Sequence, residues 1–152
     1  MIEVWAGSGE QNDDRATSRV LRAGNGGERA RSRVLVVDDD ASILDTVTSI
    51  LMGEGYQVMS ANGGEEAMSL MRTWHPTLVL LDMRMPVVDG WAVARAMRES
   101  GSRVPIVVMT AAENARRWAD EIGAAGHLAK PFSLDELIDC VDRHTGREER
   151  KN

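Results

Sequence analysis

Three short, uninterrupted apolar runs, VLVV at 34–37, LVLL at 78–81 and IVVM at 106–109, constrain the fold of this chain more than any other feature. A strand that is apolar at every position, not at alternate ones, has both faces covered, as a central strand of a parallel sheet does. Between the runs the period turns helical. Ile43, Val47, Ile50 and Leu51 form one stripe, and Ala67, Leu70, Met71 and Trp74 a second. Ala115, Trp118, Ala119 and Ile122 repeat the spacing, as do Leu134, Leu137, Ile138 and Val141. Each stripe predicts a helix with one face on the core. YQVMSA (56–61) and GHLA (126–129) are weaker strands suited to the sheet edges. The punctuation agrees: Gly53 and Gly55 close the first helix, Asp89 stands where it caps the third, and SLDE (133–136) is a capping box. Five strands alternating with five helices imply an α/β fold, with a parallel sheet, helices on both faces and right-handed crossovers.

At 152 residues and 43% hydrophobic, the chain has the length of one domain with one real core. Its single cysteine, Cys140, has no internal disulfide partner, and the opening MIEVWAGSGEQNDD has neither a basic region nor an apolar stretch of a secretory leader. A cytoplasmic protein is expected. No apolar run approaches the roughly 18 residues of a membrane-spanning helix. The net charge of −6 disfavours nonspecific attraction to nucleic acid. Residues 1–32 hold five acidic and five basic side chains, whereas the remainder holds 19 and 13 and so carries the whole imbalance. That first segment is poor in apolar residues and rich in Gly, Asn, Ser and Arg, so it is expected to be a disordered tail.

In open α/β sheets the site lies beyond the carboxyl ends of the strands, where the strand order reverses. The first strand runs out into Asp38, Asp39 and Asp40, the third into Asp82, the fourth into Thr110, and the fifth into Lys130 and Pro131. Three adjacent like charges need an offset. Two or three carboxylates with open water positions suit Mg²⁺, a hard cation that prefers oxygen, while Asp40 is placed to cap the helix starting at Ala41. The full set describes a divalent-metal site beside a phosphoryl-transfer site, with Asp82 as nucleophile, Lys130 and the metal as charge neutralisers, and Thr110 as a hydrogen-bond donor. Lys130 is one of only two lysines in an arginine-rich chain, which fits a need for a compact point charge.

VLVVDDD, LVLLDMRMPVVDGW, IVVMTA and GHLAKPF together resemble the receiver domain of two-component response regulators, over residues 33–145. The resemblance implies a flavodoxin-like doubly wound (βα)5 sheet with strand order 2-1-3-4-5. Asp82 would accept a phosphoryl group from a sensor histidine kinase or histidine phosphotransfer protein. Asp38, Asp39, Asp82 and the backbone carbonyl of Arg84 would hold Mg²⁺. Lys130 would contact the phosphoryl group, a cis bond would precede Pro131, and Thr110 would move toward the phosphate on activation. His127 stands at the position of the switch aromatic, where Tyr or Phe is commoner. Arg84 and Ala112, two residues beyond Asp82 and Thr110, would border the path of the hydrolytic water. Arg84 is long enough to lie over the phosphoryl group, and both residues point to slow self-dephosphorylation. The face built from the family's fourth helix, fifth strand and fifth helix would signal to a separate effector protein, and a phosphorylation-dependent dimer is compatible with it.

Only TGREERKN follows the last helical stripe, so the sequence reads as a stand-alone receiver with a short tail (146–152) and no output domain, DNA contact or membrane contact. His75 and His144 read as surface histidines. Most of the nine methionines read as packing, and Trp91 and Trp118 as core residues, with Trp118 the better partner candidate. Two rivals are weaker. A haloacid-dehalogenase-like phosphatase needs an aspartate where Arg84 stands, and a pseudo-receiver binding partners without phosphorylation commonly lacks one of the acidic pair, the acceptor or the lysine. The chain is therefore expected to catalyse only its own phosphorylation and dephosphorylation.

Overall fold

The computed structural model describes residues 26–145. It begins with a short helix, α1 (Gly26–Arg31), followed by β1 (Arg33–Val37), α2 (Ala41–Gly53), β2 (Gln57–Ala61), α3 (Gly64–Trp74) and β3 (Leu78–Asp82). The second half continues with α4 (Gly90–Glu99), β4 (Ile106–Ala111), α5 (Ala112–Ile122), β5 (Gly126–Lys130) and α6 (Leu134–Arg143). The five strands form one sheet in the order β2-β1-β3-β4-β5, and every pairing is parallel.

Alternate residues of each central strand feed two separate cores. Val34, Val36, Leu80 and Met109 pack with α2 and α6, through Leu44, Val47, Leu137 and Val141 among others. Leu35, Val37, Leu81 and Val108 pack on the other face with Val93 and Met97 of α4 and Trp118 and Ile122 of α5. β3 is buried at every position, which is why its sequence shows no alternation. Edge strand β2 is mostly exposed.

The caps follow the sequence. Asp40 Oδ1 accepts from the amides of Ser42 (2.9 Å) and Ile43 (3.3 Å) to start α2, and Asp89 Oδ1 accepts from Ala92 (2.9 Å) to start α4. Ser133 and Glu136 form the reciprocal capping box of α6. Gly90 sets how closely α4 can approach the sheet: a Cβ there would lie 2.6 Å from Met83 Cα and 2.8 Å from the Asp82 carbonyl oxygen.

The expectation of a disordered tail through residue 32 needs correction at its end. Residues 26–31 are helical, and Arg29 is 5% exposed. Its guanidinium donates to both carboxylate oxygens of Asp142 (3.1 and 2.6 Å) and forms an ion pair with Glu54 (3.0 Å), while the Tyr56 hydroxyl also donates to Asp142. An ionic anchor of this kind leaves no apolar periodicity to read. Residues 1–25 and 146–152 lie outside the described part. His144 also departs from the surface reading. It caps α6 half-buried, and its ring lies where a side chain on Gly126 would stand. His75 is exposed as the cap of α3.

Candidate functional site

The strand order reverses between β1 and β3, and the crevice beyond their carboxyl ends is acidic. Asp38 directly follows β1 and Asp82 is the last residue of β3. A carboxylate oxygen from each of Asp38, Asp39 and Asp82 lies within 4.8 Å of the others. Asp38 and Asp82 are 1% and 6% exposed, whereas Asp39 faces solvent. Although all three stand beyond or at strand ends, only Asp39 is freely hydrated.

Burial disfavours the charged form of Asp82, and the neighbouring Asp38 adds like-charge repulsion. Together they push its carboxyl up to about 7, against the opposing pull of Lys130 and the Arg84 amide. Lys130, at the end of β5, divides its charge unequally, with Nζ 2.8 Å from Asp38 Oδ2 and 3.8 Å from Asp82 Oδ1. The peptide bond from Lys130 to Pro131 is cis. Thr110 is buried near the end of β4, one residue short of the strand terminus expected for it. His127 is exposed on β5, opposite Val108 of β4.

A divalent cation fits this set. The donors are hard oxygens, two of them desolvated and repelling one another, and an exposed third leaves room for water ligands. Asp40 takes no part in the cluster because its side chain caps α2.

The Arg84 side chain, expected to lie over the acceptor, is exposed and rests instead against Trp118. The Arg84 amide lies 3.4 Å from Asp82 Oδ1, while its guanidinium sits over the Trp118 ring at 5.7 Å from the centroid. Ala112 opens α5 and is exposed. The loop beyond Arg84 holds Val87, 94% exposed with φ 70°, a strained conformation for a β-branched residue. An open, largely apolar cavity of about 580 Å³, lined by Met68, Met71, Met97 and Val104 among others, lies at the opposite end of β3 and β4 and shares no residue with the acidic site.

Residues 34–142 match the model of the response regulator receiver domain. The chain belongs to this family. As a response regulator receiver domain of two-component signalling, it is 44% identical over 112 residues to a probable transcriptional regulator, ycf27, of Porphyridium aerugineum, covering 70% of this chain and 45% of that protein. It is 41% identical over 108 residues to the response regulator MprA of Mycolicibacterium vanbaalenii, covering 70% and 47%. The receiver thus spans about half the length of the curated relatives it matches. Among solved structures, the Vibrio cholerae chemotaxis protein CheY4 superposes with a TM-score of 0.69 at 30% identity, covering 74% of this chain and 98% of that one. The receiver domain of NtrX from Brucella abortus gives 0.68 at 30% identity, covering 73% and 96%. No helix among the described residues is long and apolar enough to cross a membrane.

Proposed function

We propose that this receiver accepts a phosphoryl group on Asp82 from a phosphohistidine of a sensor kinase or phosphotransfer protein, in a Mg²⁺-dependent transfer, and passes the change to a separate effector. The observation that carries this reading is the company of the Asp82 carboxylate: two other carboxylates within 4.8 Å and the Lys130 ammonium at 3.8 Å. Asp38, Asp39, Asp82 and the Arg84 carbonyl would hold the cation, which when bound neutralises phosphoryl oxygens and keeps Asp82 ionised.

In the transfer an Asp82 oxygen forms a bond to phosphorus as the bond from phosphorus to the imidazole nitrogen breaks. The nitrogen keeps the electron pair, and the aspartyl phosphate is an acyl phosphate. Lys130 exchanges part of its pairing with Asp38 for a phosphoryl oxygen, and the Thr110 hydroxyl donates to another. His127 would follow Thr110 as the switch residue, and the face of α5, β5 and α6 would carry the readout. The chain would act in the cytoplasm without direct DNA contact, and its catalysis would be confined to its own phosphorylation and dephosphorylation. Labelling with a phosphohistidine donor in Mg²⁺ tests the reading: one acid-stable, hydroxylamine-labile phosphate is expected, and a label resistant to hydroxylamine would overturn it.

A further inference from the structure

The Arg84 guanidinium lies 5.7 Å from the centroid of Trp118 on α5, and Arg117 lies 6.0 Å from the same ring. Trp118 in turn meets Trp91 of α4 edge to face, with centroids 4.9 Å apart. The Trp91 indole N–H donates to Glu121 Oε1, one turn further along α5, at 3.0 Å. A line of contacts therefore runs from the residue two beyond the acceptor, through one ring on α5, to the seam between α4 and α5. Trp118 is 8% exposed, so the ring itself is held in the core, whereas Arg84, at the end of the line nearest the acceptor, is exposed.

We propose that Arg84 is a two-position coupling residue, stacked on Trp118 before phosphorylation and paired with the phosphoryl group afterwards, so that modification of Asp82 removes a cation from the α5 ring. This inference rests on the phosphoryl-accepting reading of Asp82 and adds a route out of the site that does not pass through Thr110 and His127.

Two comparisons set the direction. An exposed cation over an aromatic face is a weak contact, whereas a guanidinium on a phosphoryl group makes charge-assisted, frequently bidentate hydrogen bonds about twice as strong as neutral ones. The Arg84 amide is already 3.4 Å from Asp82 Oδ1, which places the root of the side chain beside the acceptor. Arg117, whose guanidinium donates to Asn114 Oδ1 at 2.8 Å, stays with the ring and repels Arg84 from it. The coupling is reciprocal: whatever weakens the stacking on Trp118 favours the modified state by the same factor.

The test is the side-chain Nε–H spectrum of Arg84 in the full chain, assigned with Arg84→Lys, because a guanidinium over an indole face is shifted upfield by the ring current. An upfield signal is expected in the wild type, smaller in Trp118→Phe and absent in Trp118→Leu. Adding Mg²⁺ and beryllofluoride, a phosphoryl mimic, to the wild type should move the signal to the unstacked position. In Trp118→Leu, beryllofluoride should bind about two- to fivefold more tightly, the factor that corresponds to an exposed cation–π contact, with Trp118→Phe intermediate. Fluorine spectra of bound beryllofluoride report acceptance separately. If the mimic binds and Arg84 stays upfield, the coupling is wrong while the phosphoryl-accepting reading stands; if no mimic binds, both fall.

Discussion

Lys130 Nζ lies 2.8 Å from Asp38 Oδ2, a pair that joins residues 92 positions apart and spans the carboxyl edge from β5 to β1. Asp38 is 1% exposed, so this ion pair is what balances the buried half of the acidic cluster. Asp82, 3.8 Å from the same ammonium, receives less of its charge, so that burial and the neighbouring Asp38 outweigh it and raise the Asp82 carboxyl.

A pH dependence follows. The Asp82 carboxyl moves from an ordinary 3.8 up to about 7 in the folded chain, chiefly through burial and then the charge of Asp38. Between those values the native state keeps a proton that the unfolded chain releases, so stability falls as pH rises from about 4 to about 7 and is level above that. In the presence of a chelator, urea midpoints should decline across this window, and Asp82→Asn should flatten the decline and exceed the wild type at pH 8. A wild-type curve that rises from acid to neutral as steeply as that of Asp82→Asn would contradict the assignment.

Asp39 is the exposed carboxylate of the three, and its replacement disturbs no buried ion pair. Asp39→Ala should weaken Mg²⁺ binding by at least tenfold, the equivalent of roughly 1.4 kcal/mol. It should leave the unfolding midpoint of the metal-free protein unchanged or slightly higher, through relief of repulsion. Calorimetric titration with Mg²⁺ checks this, and an unaltered affinity would exclude Asp39 as a ligand.

Arg29 makes the opposite kind of contact, at the far end of the sheet. Arg29→Ala would leave the buried Asp142 without its guanidinium, a change that costs about 3–5 kcal/mol in comparable buried pairs. Chemical denaturation should show that loss, with Arg29→Lys intermediate because an ammonium cannot reproduce the two-oxygen grip on Asp142.

Val87 offers a gain of stability. Its φ of 70° suits Asn far better than a β-branched residue, and its side chain is 94% exposed, so almost no packing is lost on replacement. Val87→Asn should stabilise the chain by about 1 kcal/mol in urea unfolding.

Most of the architecture was legible because the strands and helices declare themselves by unlike periods. β1, β3 and β4 coincide with the apolar runs to within two residues at either end, and all four residues of the Ala115 stripe are buried, as are those of the Leu134 stripe. β2 begins after Tyr56 and not with it, because that ring turns into the core and its hydroxyl meets Asp142. The site residues could be collected from sequence because a parallel sheet brings its strand ends together, which the aspartates and Lys130 obey. Two things were hidden. Arg29 depends on partners up to 113 residues away that only the fold brings close, and no local pattern marks such an anchor. The place of the Arg84 side chain depends on how α5 crosses the sheet, which sets where Trp118 stands.

The central claim is that Asp82 is the phosphoryl acceptor, and the intact mass of the full chain after incubation with acetyl phosphate and Mg²⁺ tests it most directly. One added phosphoryl group is expected on the wild type, removed by hydroxylamine and absent when chelator replaces Mg²⁺. None is expected on Asp82→Asn, whose circular dichroism should match the wild type. Equal labelling of a folded Asp82→Asn would contradict the account.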